Sequence, residues 1–292
     1  MPVIYGGHFE YNTRITQMVE LEEINILRKS IDKECTNAIN TVYQAYNSQT
    51  FQFTETPEYL NIAQCIVQMI TLKTKTILNM TKGISLFKGG THIVDFSSIL
   101  PIIRSAYELC FIFHNIFIST ETRDELEILL SIWKIRGFTC RQGIDNIPDD
   151  FLAKQKAEKE EIDALIKGIY EIASRLKVSS KVKKDLCGIL RYNGDNLKGY
   201  IFEKDNGEIV DIRGIRLIEG VEILPEFQNT TALYKWASMH IHASYLSVLQ
   251  FGQAYSSKKV DNMTKTILES AYLICKTVSS DYNLLLQKYA SP

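Results

Sequence analysis

Residues 99–117 (ILPIIRSAYELCFIFHNIF) form the longest apolar stretch of the chain. At 100° per residue their apolar side chains cover most of the circumference of a helix. Such a helix belongs either in the centre of a protein or in a membrane. Arg104, Glu108 and His114 would place three polar side chains inside a membrane span, which favours a buried helix and predicts no membrane partner. The rest of the fold must therefore be built around this helix.

Helical periodicity also dominates most of the remaining chain. Six prolines and fifteen glycines in 292 residues are few, which disfavours an all-β sandwich or barrel with its many tight turns. Apolar side chains recur at three- and four-residue steps over 13–47, Asp95 is a plausible helix cap, and one continuous helix is predicted over about 229–255. The sequence predicts an all-α bundle of seven to eight helices in a single elaborated domain, residues 1–292.

Residues 191–228 depart from helical periodicity. Five glycines and short runs of alternating or β-branched residues replace it. Asp205-Asn206-Gly207 lies between two such runs, and an Asn-Gly pair readily supplies the positive φ angles of a two-residue turn. The segment is therefore predicted to be a β-rich or irregular insert that contains a small hairpin.

Overall charge and cysteine usage set broad limits on function. The 33 basic and 34 acidic residues give a net charge of -1, so there is no global attraction to nucleic acid or to a membrane. The six cysteines are widely spaced and never form C-x-x-C, and the first residues have no secretory-signal pattern. These features lead us to expect a protein of the reducing cytoplasm.

Several familiar active-site motifs are missing from the sequence. It has no G-x-S-x-G, G-x-G-x-x-G, G-x-x-x-x-G-K-[ST] or H-E-x-x-H, so α/β-hydrolases, dinucleotide binders, P-loop NTPases and zincins lack their fingerprints. His240 and His242 point about 160° apart on a regular helix and therefore cannot coordinate the same metal ion. We therefore expect neither a cofactor nor a metal.

The apolar helix carries a polar face with two interpretations. Arg104, Tyr107, Glu108 and His114 fall within about a third of its circumference. Arg104 and Glu108, one turn apart, could form an interior ion pair that ties helices together. Alternatively they could line a pocket in which Arg104 holds a phosphate or carboxylate and Glu108 orients it or acts as a base, with Tyr107 and His114 as binding residues.

A second polar face lies on residues 233–251 (LYKWASMHIHASYLSVLQF), where Tyr234, Ser238, His242 and Tyr245 share one side of the predicted helix. Ser238 and His242, at i and i+4, have the spacing of a nucleophile and a general base, with Tyr234 and Tyr245 as binding residues. The alternative is a serine that packs or bonds back to a backbone carbonyl of its own helix, together with a satisfied core histidine. In the functional interpretation this face and the Arg104 face form one pocket.

These two motifs carry a family resemblance. The sequence resembles a loosely defined family of bacterial helical proteins of unknown function that show an Arg-x3-Glu helix and a later Ser-x3-His helix. Here the motifs run from Arg104 to Glu108 (RSAYE) and from Ser238 to His242 (SMHIH). Such proteins are remotely similar to the HEPN superfamily of helical bundles, many of which are RNases of toxin-antitoxin and anti-phage systems.

The HEPN resemblance implies a metal-independent ribonuclease that acts at a dimer interface, with RNA or a nucleotide as partner and a homodimer as assembly. The HEPN pattern places His four to six residues after Arg on one helix. In this chain nine residues separate Arg104 from His114, and Lys235 holds the arginine position before His240 and His242. Chemistry would therefore combine two helices, with Arg104 stabilising phosphate charge and His242 as acid or base. The alternative is a non-catalytic module that binds a nucleotide signal or a protein, with these residues as a structural network.

Overall fold

The computed structural model describes residues 6–47, 57–90, 92–142, 144, 148–176, 178–191, 198–224, 226–227, 230–241, 244–256 and 260–289. Within these ranges the protein is all-α, with two small antiparallel sheets. The helices are α1 (Gly6–Asn47), α2 (Glu58–Met80), α3 (Phe96–Phe113), α4 (Arg123–Gln142), α5 (Asp149–Arg175), α6 (Ser180–Arg191), α7 (Thr230–Ile241), α8 (Tyr245–Ser256) and α9 (Val260–Tyr289). The strands are β1 (Ile84–Ser85), β2 (His92–Ile93), β3 (Lys198–Asp205) and β4 (Glu208–Arg216).

The predicted fold class, an all-α bundle with a small hairpin insert, is confirmed. The described residues contain nine α-helices, because the helix expected over 229–255 is two helices. The prediction of one continuous helix there was wrong: α7 ends at Ile241, and Ser244 lies outside both helices. The Ser244 hydroxyl accepts a hydrogen bond from the Ser247 amide at 3.1 Å and so caps the start of α8.

The chain divides into two compact units, and the first comprises Met1–Cys110 with Asn229–Pro292. Its centre is formed by α1, α2 and α9, which pack on one another. Ile31, Cys35, Leu268 and Cys275 are fully buried in this core, and the sulfur atoms of the two cysteines lie 3.7 Å apart. This unit also contains α7, α8 and the part of α3 that carries Arg104.

The second unit comprises Phe111–Gln228 and contains α4 to α6 and the hairpin of β3 and β4. Asn206 and Gly207 have φ angles of 48° and 80°, so the predicted Asn-Gly turn is confirmed. A π-helical segment, His114–Ile118, continues α3. Within it the buried Asn115 amide donates to the Tyr200 carbonyl at 2.8 Å and accepts from the Tyr200 N–H at 3.0 Å, which binds β3 to this segment.

One helical stretch, Phe96–Ile118, is long and apolar enough to cross a membrane by length and composition. In its most apolar window 56% of the residues are buried inside the protein. The core helix of a soluble protein has the same properties, so the structure is compatible with a soluble protein.

Gly199 on β3 lies against rigid core side chains of the second unit. A Cβ atom added there would come within 2.8 Å of the Phe111 ring and 2.9 Å of the Ile223 side chain. We expect Gly199→Ala to lower the free energy of unfolding by about 1–3 kcal/mol, because it overpacks a filled core. Gly214 on β4 is the matched control, since its added Cβ would be at 3.6 Å or more from its neighbours. Thermal melts of both variants check this, and equal losses would contradict it.

Asp95 caps α3, as predicted, and so fixes the start of the helix that carries Arg104. Its carboxylate accepts hydrogen bonds from the amides of Ser97 and Ser98 at 3.1 and 3.3 Å, and from both hydroxyls at 2.5 Å. Burial raises the pKa of Asp95, but these four hydrogen bonds outweigh it and hold the pKa below its ordinary value.

The lowered pKa predicts how the stability contributed by Asp95 depends on pH. Because the folded pKa lies below the unfolded value of about 3.9, this stability is present above that pH and is lost as the pH falls through the folded pKa. We expect Asp95→Ala to cost about 1 kcal/mol at pH 7, with the difference from wild type narrowing below about pH 4. Asp95→Asn, which keeps the cap without the charge, is the control. Denaturant titrations across pH 3–7 that give a constant difference for Asp95→Ala would contradict this.

Candidate functional site

A polar cluster in the first unit joins α3 to α7. Arg104 lies near the middle of α3, and its Nε donates to Glu108 Oε1, one turn further along, at 2.8 Å. The side chains of Arg104 and Glu108 are 25% and 26% exposed. The ion pair is thus largely sheltered but still reaches solvent. Its exposure to solvent is intermediate between what the interior ion pair and the open pocket would each require.

Two residues of α7, Tyr234 and Ser238, complete the cluster. The Arg104 guanidinium carbon lies 4.5 Å from the centroid of the Tyr234 ring, and Nη1 donates to Ser238 Oγ at 3.2 Å. The Tyr234 hydroxyl donates to Glu108 Oε1 at 3.1 Å. Because Tyr234 and Ser238 are four residues apart, one helix face presents both to the Arg104–Glu108 pair.

The cluster keeps its tyrosine protonated. Burial raises the pKa of the Tyr234 hydroxyl, and the nearby negative charge of Glu108 raises it further, while the positive charge of Arg104 lowers it. The net direction is upward. At neutral pH this hydroxyl is therefore a hydrogen-bond donor to Glu108 and not a base.

Ser238 is not arranged as an activated nucleophile. Its hydroxyl donates to the backbone carbonyl of Tyr234, one turn earlier, at 2.5 Å and accepts from Arg104. A serine that bonds back to its own helix in this way has its proton committed to the carbonyl. In this geometry Ser238 positions the guanidinium.

The other predicted site residues fall in different places. Tyr107 is 1% exposed and lies behind Tyr234, with ring centroids 6.1 Å apart and planes at 67°. His114 belongs to the second unit, as the first residue of the π-helical segment. Tyr245 begins α8 and is 77% exposed. His242 lies outside the described residues, so its predicted role as acid or base stays a prediction.

His240, which the sequence set apart from the predicted site, is a buried contact between α7 and α8. Its Nε2 lies 2.9 Å from the Gln250 side-chain oxygen, and Trp236 packs edge-on against its ring at 6.4 Å. Among the described side chains, no three His, Cys, Asp or Glu lie close enough together to hold a metal ion.

A second polar group lies in the second unit, and no sequence motif pointed to it. Lys204 on β3 donates to Glu121 at 2.5 Å and pairs at 2.7 Å with Glu125, which is buried. Asn115 and Tyr200 are among the residues that line the small pocket beside it, whose cavity volume is about 40 Å³. A space of this size holds a water molecule and not a substrate. We assign this group a structural role.

Comparison of the chain with protein-family models, with curated proteins and with solved structures gives no match. The function must therefore be argued from the cluster of Arg104, Glu108, Tyr234 and Ser238 itself.

The contribution of the Arg104–Glu108 ion pair to the free energy of unfolding can be compared with that of an exposed ion pair of similar geometry. Removing the carboxylate in Glu108→Ala leaves Arg104 largely buried without its charge partner, and we expect a loss of roughly 1–3 kcal/mol in the free energy of unfolding. Arg123 and Glu127 on α4 also pair Nε to Oε1 at i,i+4, at 2.9 Å, but their side chains are 51% and 37% exposed. Glu127→Ala should cost at most about 0.5 kcal/mol. Similar losses for the two variants in denaturant titrations would show that the Arg104 pair is not sheltered.

Proposed function

We propose that the Arg104 cluster binds a phosphate group of RNA and that the chain is a metal-independent RNA-processing protein of the HEPN type, acting in bacterial defence. The observation that carries this proposal is a partly exposed arginine whose plane is fixed by an aromatic ring and by two hydrogen bonds. A preoriented guanidinium fork is the side chain best suited to a phosphate.

The chemistry of the cluster suits cleavage through the RNA 2′-hydroxyl. Glu108 accepts the proton of that hydroxyl, whose oxygen attacks phosphorus to form a cyclic phosphate while the bond to the 5′ oxygen breaks. Arg104 stabilises the negative charge that develops on the phosphate oxygens. His242 is the candidate acid that protonates the departing 5′ oxygen. Every proton and bond in this step is accounted for without a metal.

A second candidate function has a specific observation in its favour. The side chains of Arg104, Glu108, Tyr234 and Ser238 all bond within the cluster, and the Ser238 proton is held by a backbone carbonyl. That arrangement also fits a non-catalytic module in which the cluster ties α3 to α7. Such a module would bind a nucleotide signal or a protein.

Cleavage of a fluorescently labelled single-stranded RNA by the full-length chain tests the two functions. We expect Arg104→Lys and Glu108→Gln to lower the cleavage rate by at least about 100-fold, because a lysine lacks the planar fork and a glutamine cannot accept the proton. His242→Ala should have an effect of similar size. Arg123→Ala, which alters the matched exposed pair, should leave the rate unchanged.

The possible outcomes of this experiment distinguish the catalytic function from the non-catalytic module. Cleavage that survives in all three site variants would overturn the catalytic assignment. A wild-type chain that binds the RNA without cleaving it, with binding weakened in Arg104→Lys, would favour the non-catalytic module. A wild-type chain that neither binds nor cleaves the RNA would reject the RNA proposal.

A further inference from the structure

Two cysteines that are far apart in the sequence meet in the core of the first unit. Cys35 lies on α1 and Cys275 on α9, 240 positions later, and their sulfur atoms are 3.7 Å apart. Both are free thiols, and both side chains are 0% exposed. Two sulfur atoms at this separation touch, and a disulfide bond of about 2.0 Å needs them to approach by a further ~1.7 Å. A small movement of two side chains that are already in contact therefore suffices to join the helices.

The other cysteines near this core are placed differently. Cys110 on α3 is also buried, but its sulfur donates to the backbone carbonyl of Ile274 at 3.9 Å. Cys65 on α2 and Cys140 on α4 are exposed. The structure therefore gives the α1 thiol a definite partner on α9, and it supplies a buried cysteine and two exposed ones for comparison.

The two thiols of the pair differ in acidity. The hydrogen bond with Cys275 lowers the pKa of Cys35, burial opposes this change, and the positive charge of Lys75 on α2 lowers the pKa further, so that the net direction is downward. The same hydrogen bond and burial raise the pKa of Cys275. Since the thiolate is the nucleophile, Cys35 is the thiol that reacts first and Cys275 the one that follows.

We propose that Cys35 and Cys275 form a redox-modification site, at which a hydroperoxide converts the two thiols into a reversible disulfide that joins α1 to α9. The burial of both sulfur atoms excludes bulky oxidants, whereas hydrogen peroxide is small enough to enter when the helices open locally. This proposal does not depend on the proposed RNA chemistry.

The reaction consumes one peroxide for each disulfide. The Cys35 thiolate attacks one oxygen of hydrogen peroxide, the O–O bond breaks, and the departing hydroxide takes up the proton that Cys35 released, which forms water and a sulfenic acid. The Cys275 sulfur then attacks the Cys35 sulfur. The S–O bond breaks, and the departing hydroxide leaves as a second water with the proton of Cys275. The two thiols lose two electrons in total, and the peroxide gains them.

The position of the disulfide determines its effect on stability. A bond between Cys35 and Cys275 closes a loop that contains α2 to α8, and a crosslink across so long a loop restricts the unfolded chain strongly. The oxidised chain is therefore the more stable form. In a reducing compartment such a bond is transient, so it forms when peroxide is present and is lost when small thiols reduce it.

Peptide mapping by mass spectrometry detects the bond in the full-length chain. The reduced chain is treated with hydrogen peroxide, its remaining thiols are alkylated, and it is digested without reductant. We expect a crosslinked pair of peptides that contains Cys35 and Cys275. In thermal melts the peroxide-treated chain should unfold at least about 5 °C above the reduced chain, and dithiothreitol should reverse the shift.

Cysteine variants assign the shift to this pair. Cys35→Ala and Cys275→Ala should each abolish the crosslink and the difference between the oxidised and reduced melting temperatures. Cys110→Ala, which removes another buried thiol of the same unit, should retain both. Because each variant is compared with its own reduced form, a general loss of stability does not affect the result.

Two results would overturn the proposal. One is complete alkylation of Cys35 and Cys275 in the peroxide-treated wild type while the exposed Cys65 and Cys140 are oxidised, a measurement that needs no variant. The other is a melting shift of the same size in wild type and in Cys35→Ala, which would assign the shift to oxidation elsewhere in the chain.

Discussion

An arginine in the middle of the largely apolar helix α3 is the constraint on which the first unit depends. An uncompensated charge in a sheltered position costs several kcal/mol, so α3 can be buried only if Arg104 finds partners. Glu108 on the next turn supplies one from the same helix. Tyr234 and Ser238 of α7 supply the others, and they do so only if this face of α7 is turned toward Arg104 and Glu108. The cluster thus specifies how two helices pair, whichever function it serves.

In the second unit a polar side chain again determines how an element is placed. Asn115 offers both an acceptor and a donor, and it satisfies the N–H and the carbonyl of Tyr200 as a neighbouring strand would. The hydroxyl of Tyr200 meets Arg136 of α4, which anchors the same strand residue from its side chain. Gly199, next to it, leaves space for the Phe111 ring. One short segment of β3 therefore holds the hairpin to its helices.

The structural features that depend on neighbouring residues were predictable from the sequence, and they account for most of the fold. Helical periodicity, the Asp95 cap and the Asn206-Gly207 turn all depend on neighbours within a few residues, which a sequence displays directly. The pairing of Arg104 with Glu108 follows from i,i+4 spacing in the same way. By contrast, Asn115 and Tyr200 are 85 residues apart, and an amide side chain can meet too many partners for its true one to be read from spacing.

The candidate site also combines features that were predictable from the sequence with features that were not. The residues of each helix face could be chosen from their spacing. The sequence left open whether Ser238 bonds back to a carbonyl of its own helix or acts as a nucleophile, because a serine hydroxyl rotates to whichever acceptor is nearest. That bond decides whether Ser238 acts as a nucleophile or as a support for Arg104.

The break at Ser244 changes what the apolar run over 233–251 means. In one continuous helix, Tyr245 would extend the face of Tyr234 and Ser238, and the apolar residues of both halves would share one core. Ser244 starts a new helix, so the side chains after it no longer follow the faces of α7. Residues before the break supply polar partners to α3. Those after it have their large apolar side chains exposed, while Ser247 is buried and Gln250 meets His240.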